Sequence, residues 1–177
     1  MQTRTFFFIS IISFLLISCG TGLKIPQEQL SGINSNFKGT FINISHKKNS
    51  KNKASSDSDI LTLINLKNKK SDSVSISFTS NNELKVTYDD VIGKTTEYYQ
   101  GKFSKKGYYE IFIRKKNIQI PPVLHLLYSK IDIYRLRISL NKEKELIIDS
   151  YYKRGGNVFL LAAGGSGRTQ YYFKATK

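Results

Sequence analysis

From Ser73 to Ser80 the chain reads Ser-Val-Ser-Ile-Ser-Phe-Thr-Ser, with an apolar residue at every second position through Phe78. After Asn81-Asn82 the alternation resumes at Leu84, Val86 and Tyr88. A period of two belongs to a strand with one buried face, so this stretch predicts a hairpin turned by the two asparagines. Similar segments predict strands over 37–45, 60–66, 95–104, 108–118, 131–140, 146–153, 158–162 and 170–176. They are separated by tight polar connections at 67–72, 105–107, 141–144 and 154–156. The spacing predicts an all-β fold: an antiparallel meander of about eight to ten strands, closing into a small β-barrel or packing as a sandwich. One stretch breaks the rhythm. Ile120-Pro121-Pro122-Val123-Leu124-His125-Leu126-Leu127-Tyr128 carries two prolines, which end a strand and can start a helix, so a short helix or lid is expected near 121–129.

Near the end of the chain an apolar run empties into glycines, "FLLAAGGSGRT" over 159–169. Leu161 to Arg168 resembles the N-terminal signature of nucleotidyltransferases, in which backbone amides and an arginine hold a triphosphate. The spacing departs from that signature, because Arg168 follows Gly167 directly. Such a loop also leads into a helix of a large α/β domain, whereas here Gln170-Tyr171-Tyr172-Phe173-Lys174 has the pattern of another strand. The glycines are therefore expected to form a flexible hairpin loop, Gly164 to Arg168 joining the last two strands.

The chain opens on Met1-Gln2-Thr3-Arg4-Thr5, followed by an apolar run from Phe6 to Ile17 broken only by Ser10 and Ser13. That run is too short to span a bilayer and suits the central region of a signal peptide. It ends in Leu16-Ile17-Ser18-Cys19, which resembles the lipobox of bacterial lipoproteins. The resemblance implies diacylglycerol and a further acyl chain on Cys19, cleavage after Ser18, and a lasting membrane anchor. Gly20 stands where an aspartate would retain some lipoproteins in the inner membrane, so the expected location is the outer membrane, facing the periplasm. With this leader, the whole chain resembles small lipoproteins of Gram-negative envelopes that carry a lipocalin-like all-β domain. The expected organisation is a signal peptide at 1–18, a flexible tether at 19–36 rich in small and polar residues, and a single β-barrel domain at 37–177. The lipocalin Gly-x-Trp motif is missing, since the chain has no tryptophan, and Phe37-Lys38-Gly39-Thr40-Phe41 is only a distant echo of it.

Composition supports a packed domain, with 40% apolar and 12% aromatic residues. The net charge of +15 points to a partner rich in phosphate or carboxylate, such as anionic lipid or a glycan, and an exported lipoprotein meets little nucleic acid. A second soft segment, His46 to Asp59, turns from basic to acidic and is expected to be a mobile loop.

Chemistry-bearing residues are sparse. Cys19 is the single cysteine, so no intramolecular disulfide is possible. His46 and His125, the two histidines, have no second histidine or cysteine at metal-ligand spacing, and neither a metal site, a cofactor nor a catalytic residue is expected. Tyrosine is more distinctive. Eight of eleven fall in the doublets Tyr98-Tyr99, Tyr108-Tyr109, Tyr151-Tyr152 and Tyr171-Tyr172. On a strand, each doublet sends one ring to either face. Inward rings, taken as Tyr99, Tyr109, Tyr152 and Tyr171, are candidates to line a ligand cavity; outward rings are candidates for stacking on sugars or a partner. Arg135 and Arg137 share the face opposite Tyr134, Leu136, Ile138 and Leu140, and point outward if the latter face is the core. Two functions remain open: a non-enzymatic binding module for an apolar or anionic envelope molecule, or a structural or assembly partner of the outer membrane with no small ligand.

Overall fold

A computed structural model of the chain describes residues 25–50, 58–67, 69–120, 128–159 and 161–176. Cys19, residues 51–57 of the expected loop, and residues 121–127, which include His125 and most of the expected lid, lie outside them. Among the described residues the protein is all-β, with two antiparallel sheets and one short helix. The first sheet has the order β1 (Lys38–Ile42), β3 (Ser73–Phe78), β4 (Leu84–Asp90), β5 (Gly93–Tyr99). The second has the order β2 (Lys47–Ser50), β10 (Leu161–Phe173), β9 (Leu146–Val158), β8 (Tyr128–Leu140), β7 (Tyr109–Ile120), β6 (Gly101–Phe103). Of the meander expected to close as a barrel or pack as a sandwich, the described residues show two antiparallel sheets and no closed barrel.

Alternation built β3 and β4 as the sequence predicted, while the expected strand 95–104 is divided at Gln100 between β5 of the first sheet and β6 of the second. Val74, Ile76, Leu84, Val86 and Tyr88 are all buried, and register sets Val74 opposite Tyr88 and Ile76 opposite Val86. Asn82 takes the left-handed turn conformation at φ +59°, and Gly107 and Lys144 do so in the later polar connections at +82° and +61°. The two sheets meet face to face: Phe41, Ile76 and Leu84 from the first pack with Tyr109, Leu136, Leu146 and Phe173 from the second. They also touch along two seams. Gln100 alone separates β5 from β6, and past the end of β10 the Ile42 amide donates to the Lys174 carbonyl (2.9 Å) and the Thr176 amide to the Thr40 carbonyl (2.9 Å).

Several expectations are corrected. The segment 60–66 is not a strand; Ile60–Leu63 forms helix α1, because Asp59 accepts from the Thr62 amide (2.7 Å) and hydroxyl (2.8 Å). An Ile-Leu-x-Leu-Ile run fits either period, and the cap decides. Part of the expected loop, Lys47–Ser50, is a strand that covers the edge of β10, with Lys47 opposite Tyr172 and Ser50 opposite Thr169. Gly164 to Arg168 is no hairpin loop but the middle of β10, and the expected turn 154–156 lies inside β9. The chain reverses instead within the expected strand 158–162, where Phe159 adopts φ +53°. Within the expected tether, Leu30 bridges Asn141, the Ser31 amide donates to the Leu140 carbonyl (2.9 Å), and Ile33 enters the core.

Candidate functional site: a projecting sheet

Strands β7 to β10 are 12 or 13 residues long, whereas those of the first sheet have five to seven. Only one half of each long strand has a sheet to pack on. Burial is complete at Leu136, Ile148 and Phe173 and gives way farther along to half-buried and exposed residues. At roughly 3.3 Å per residue, the seven steps from Arg135 to Tyr128 carry the sheet about 23 Å past its core.

Register orders the side chains of this projection. On the face continuous with the core, successive rows are Arg114, Tyr134, Tyr152, Gly167; then Lys116, Asp132, Arg154, Gly165; then Ile118, Lys130, Gly156, Ala163; and in the row farthest from the core Ile120, Tyr128, Val158, Leu161. Gly156, Gly164 and Gly167 serve close approach here, not positive φ, whereas Gly165 has open space beside it. A Cβ on Gly156 would lie 2.2 Å from the Ser129 carbonyl oxygen, and one on Gly164 2.9 Å from that of Arg154. A Cβ on Gly167 would run into the Tyr152 ring at 2.4 Å. Two shallow grooves, about 400 and 470 Å³, flank this glycine patch.

At the root of the projection the opposite face carries an ion-pair cluster. Arg137 Nε donates to Glu110 (2.8 Å), Arg135 approaches the same carboxylate (3.7 Å), and Arg168 Nε reaches both oxygens of Asp149 (2.7 and 3.0 Å). Asp149 is fully buried, and that burial pushes its pKa up although the Arg168 hydrogen bond pulls it down. Burial, then the neighbouring Arg137, holds Arg135 below the ordinary arginine value. The outward orientation of Arg135 and Arg137 follows the sequence, since Leu136 and Ile138 are core. The acids that answer them were missed. The available signal was that Glu110 and Asp149 are each the one charged residue in the runs Tyr108–Ile113 and Leu146–Tyr152.

The tyrosines are distributed differently from the expectation. Tyr109 is wholly buried, packed against Phe78 and Phe103 at ring separations of 4.7 and 4.8 Å, with its hydroxyl donated to the Asn82 carbonyl (2.7 Å). Tyr99 donates to the Ile64 carbonyl (3.2 Å), and burial pushes its pKa up to about 12. Tyr171 belongs to the same core, while Tyr152 lies on the projection, 42% exposed. Three of the four candidates are therefore part of one packed interior and the fourth stands outside it. Three outward rings are covered by the protein's own cations: Tyr108 by Arg137 (4.6 Å), Tyr151 by Arg135 (5.0 Å) and Tyr172 by Lys47 (5.1 Å). His46 pairs with Glu145 (3.0 Å). Among the described residues no three His, Cys, Asp or Glu side chains form a group able to hold a metal.

The fold and site define an all-β protein with a filled two-sheet core and a sheet that extends beyond it. No protein-family model, curated protein or solved structure matches the chain.

Proposed function

We propose that this protein is a lipid-anchored, non-enzymatic interaction module of the cell envelope, held at the outer membrane through Cys19 and facing the periplasm. Its core is structural and the projecting sheet is its working surface. The observation that carries this reading is the packing of Tyr109 against Phe78 and Phe103, which fills with aromatic rings the space that a carrier would leave for cargo. We read the two sheets as one meander folded over on itself, a flattened barrel joined at the Gln100 and Lys174 seams. The lipobox at Leu16 to Cys19 supports the anchor.

The chain from Gly20 onward, exported by a cleavable leader and recovered from the periplasm, provides the test. Native mass spectrometry is expected to give the bare polypeptide mass. A stoichiometric lipid or glycan adduct would overturn the module reading in favour of a carrier. The anchor is tested separately: Cys19→Ser should abolish metabolic palmitate labelling.

A further inference from the structure

We propose that the far end of the projecting sheet docks on an anionic lipid bilayer, with Val158, Phe159, Leu161 and Ile120 entering the headgroup region and the lysines behind them meeting lipid phosphate. This names the partner for the surface assigned above and rests on that reading of the projection; it does not depend on the lipid at Cys19.

The end row is apolar across all four strands, and its side chains face water: Ile120 is 54% exposed, Val158 57%, Leu161 82%, and Phe159 at the turn 66%. Tyr128, within the row, adds an aromatic ring with a polar tip, the type of side chain that suits a membrane interface. Behind the row the charge is one-sided. Arg114, Lys115, Lys116, Lys130, Lys153 and Arg154 face a single acid, Asp132. Asp132 lies 3.4 Å from both Arg114 and Arg154, so the four lysines keep their net charge. Rows on one face are about 7 Å apart, which sets Lys130 about 7 Å and Lys116 about 13 Å behind the end. Interfacial elements sink about 5–10 Å, so a sheet entering edge-on to that depth brings Lys130 to headgroup phosphate. Lys115 and Lys153 lie on the opposite face, as an edge-on rather than flat approach requires.

A second apolar turn lacks the cationic surplus behind it. Val91 and Ile92 are almost fully exposed, but Asp90 pairs with Lys69 and Asp89 stands opposite Lys94, so the flanking charges balance. This turn is an internal control. The chain has no tryptophan, so Leu161→Trp and Ile92→Trp each introduce a single fluorescent reporter. Both are made in the chain from Gly20 onward, which retains the described core from Ile33 to Phe173; a cooperative melt checks the fold of each. With vesicles of phosphatidylglycerol and phosphatidylcholine, L161W emission should shift to the blue and be quenched by lipids brominated in their acyl chains. I92W should do neither, and pure phosphatidylcholine should give little response. Adding Lys116→Gln and Lys130→Gln to L161W should weaken partitioning about 30-fold, at about 1 kcal/mol per lysine. Absence of an L161W shift with anionic vesicles, equal responses from the two reporters, or equal binding to neutral vesicles would each overturn the proposal. So would a blue shift that follows protein concentration without lipid, which would make the end a contact between copies. A cargo adduct in the mass measurement together with a normal L161W shift would defeat the module reading and leave the docking surface standing.

Discussion

Tyr99 is one of five tyrosines whose hydroxyls burial holds protonated above the ordinary value, and it contributes to the alkaline limit of the fold. In the unfolded chain a tyrosine ionises near its ordinary value of 10.0, whereas here burial holds the hydroxyl protonated up to about 12. A raised pKa stabilises the folded state fully below the ordinary value, and that contribution is lost as pH rises through about 12. The native chain should therefore destabilise across this window, and Tyr99→Phe should flatten the decline when urea unfolding is followed in steps of pH. Arg168 makes the acid-side counterpart. Its Nε supplies hydrogen bonds to both oxygens of a carboxylate with no solvent exposure. Arg168→Gln leaves Asp149 buried against weaker neighbours and should cost about 3 kcal/mol at neutral pH. Because the loss falls on the charged form, it should diminish as acid protonates Asp149, and chemical denaturation at neutral and acid pH would show it.

At the scale of elements, glycine carries two different meanings, and only register separates them. Gly155, Gly156, Gly164 and Gly165 look in sequence like a hairpin's punctuation, yet all four lie within paired strands. Gly156→Ala drives a Cβ to 2.2 Å from the Ser129 carbonyl oxygen, which belongs to a neighbouring strand and cannot swing aside. Such overpacking should cost about 1–3 kcal/mol. Gly165→Ala meets nothing within 4 Å and should be neutral or stabilising by about 0.5 kcal/mol, through the reduced freedom of the unfolded chain. Paired thermal melts of the two variants check both values. The same ambiguity limited what the sequence revealed. Strict alternation exposed β3 and β4, and asparagine or glycine exposed their turn and the later one at Gly107, because local rules decide those elements. Helix α1 depends on a single cap at Asp59, and β2 on a partner more than a hundred residues away, so neither could be read locally. The tyrosine doublets did alternate, but two outward rings are buried as well, beneath Lys47 and Arg137 from other strands.

For the whole molecule, the mismatch in strand length governs the architecture. Short strands on one side and long ones on the other give a core that covers half of the second sheet and leaves the other half as a projection. A sheet loaded from one end should place strain on the seams. One seam is covalent, through Gln100; the other rests on the chain beyond Phe173, where Lys174 and Thr176 exchange hydrogen bonds with β1. Ending the chain at Phe173 removes these two backbone bonds, which together form the Phe41–Ala175 bridge, for an expected loss of about 1–3 kcal/mol. The opening should be local. Hydrogen exchange at the Ile42 amide should accelerate well before that at Ile76 and Val86, which are buried in the interior of the first sheet. If the Ile42 amide instead exchanges at its native rate in the shortened chain, the core alone holds the sheets together and the C-terminal seam contributes nothing to closure.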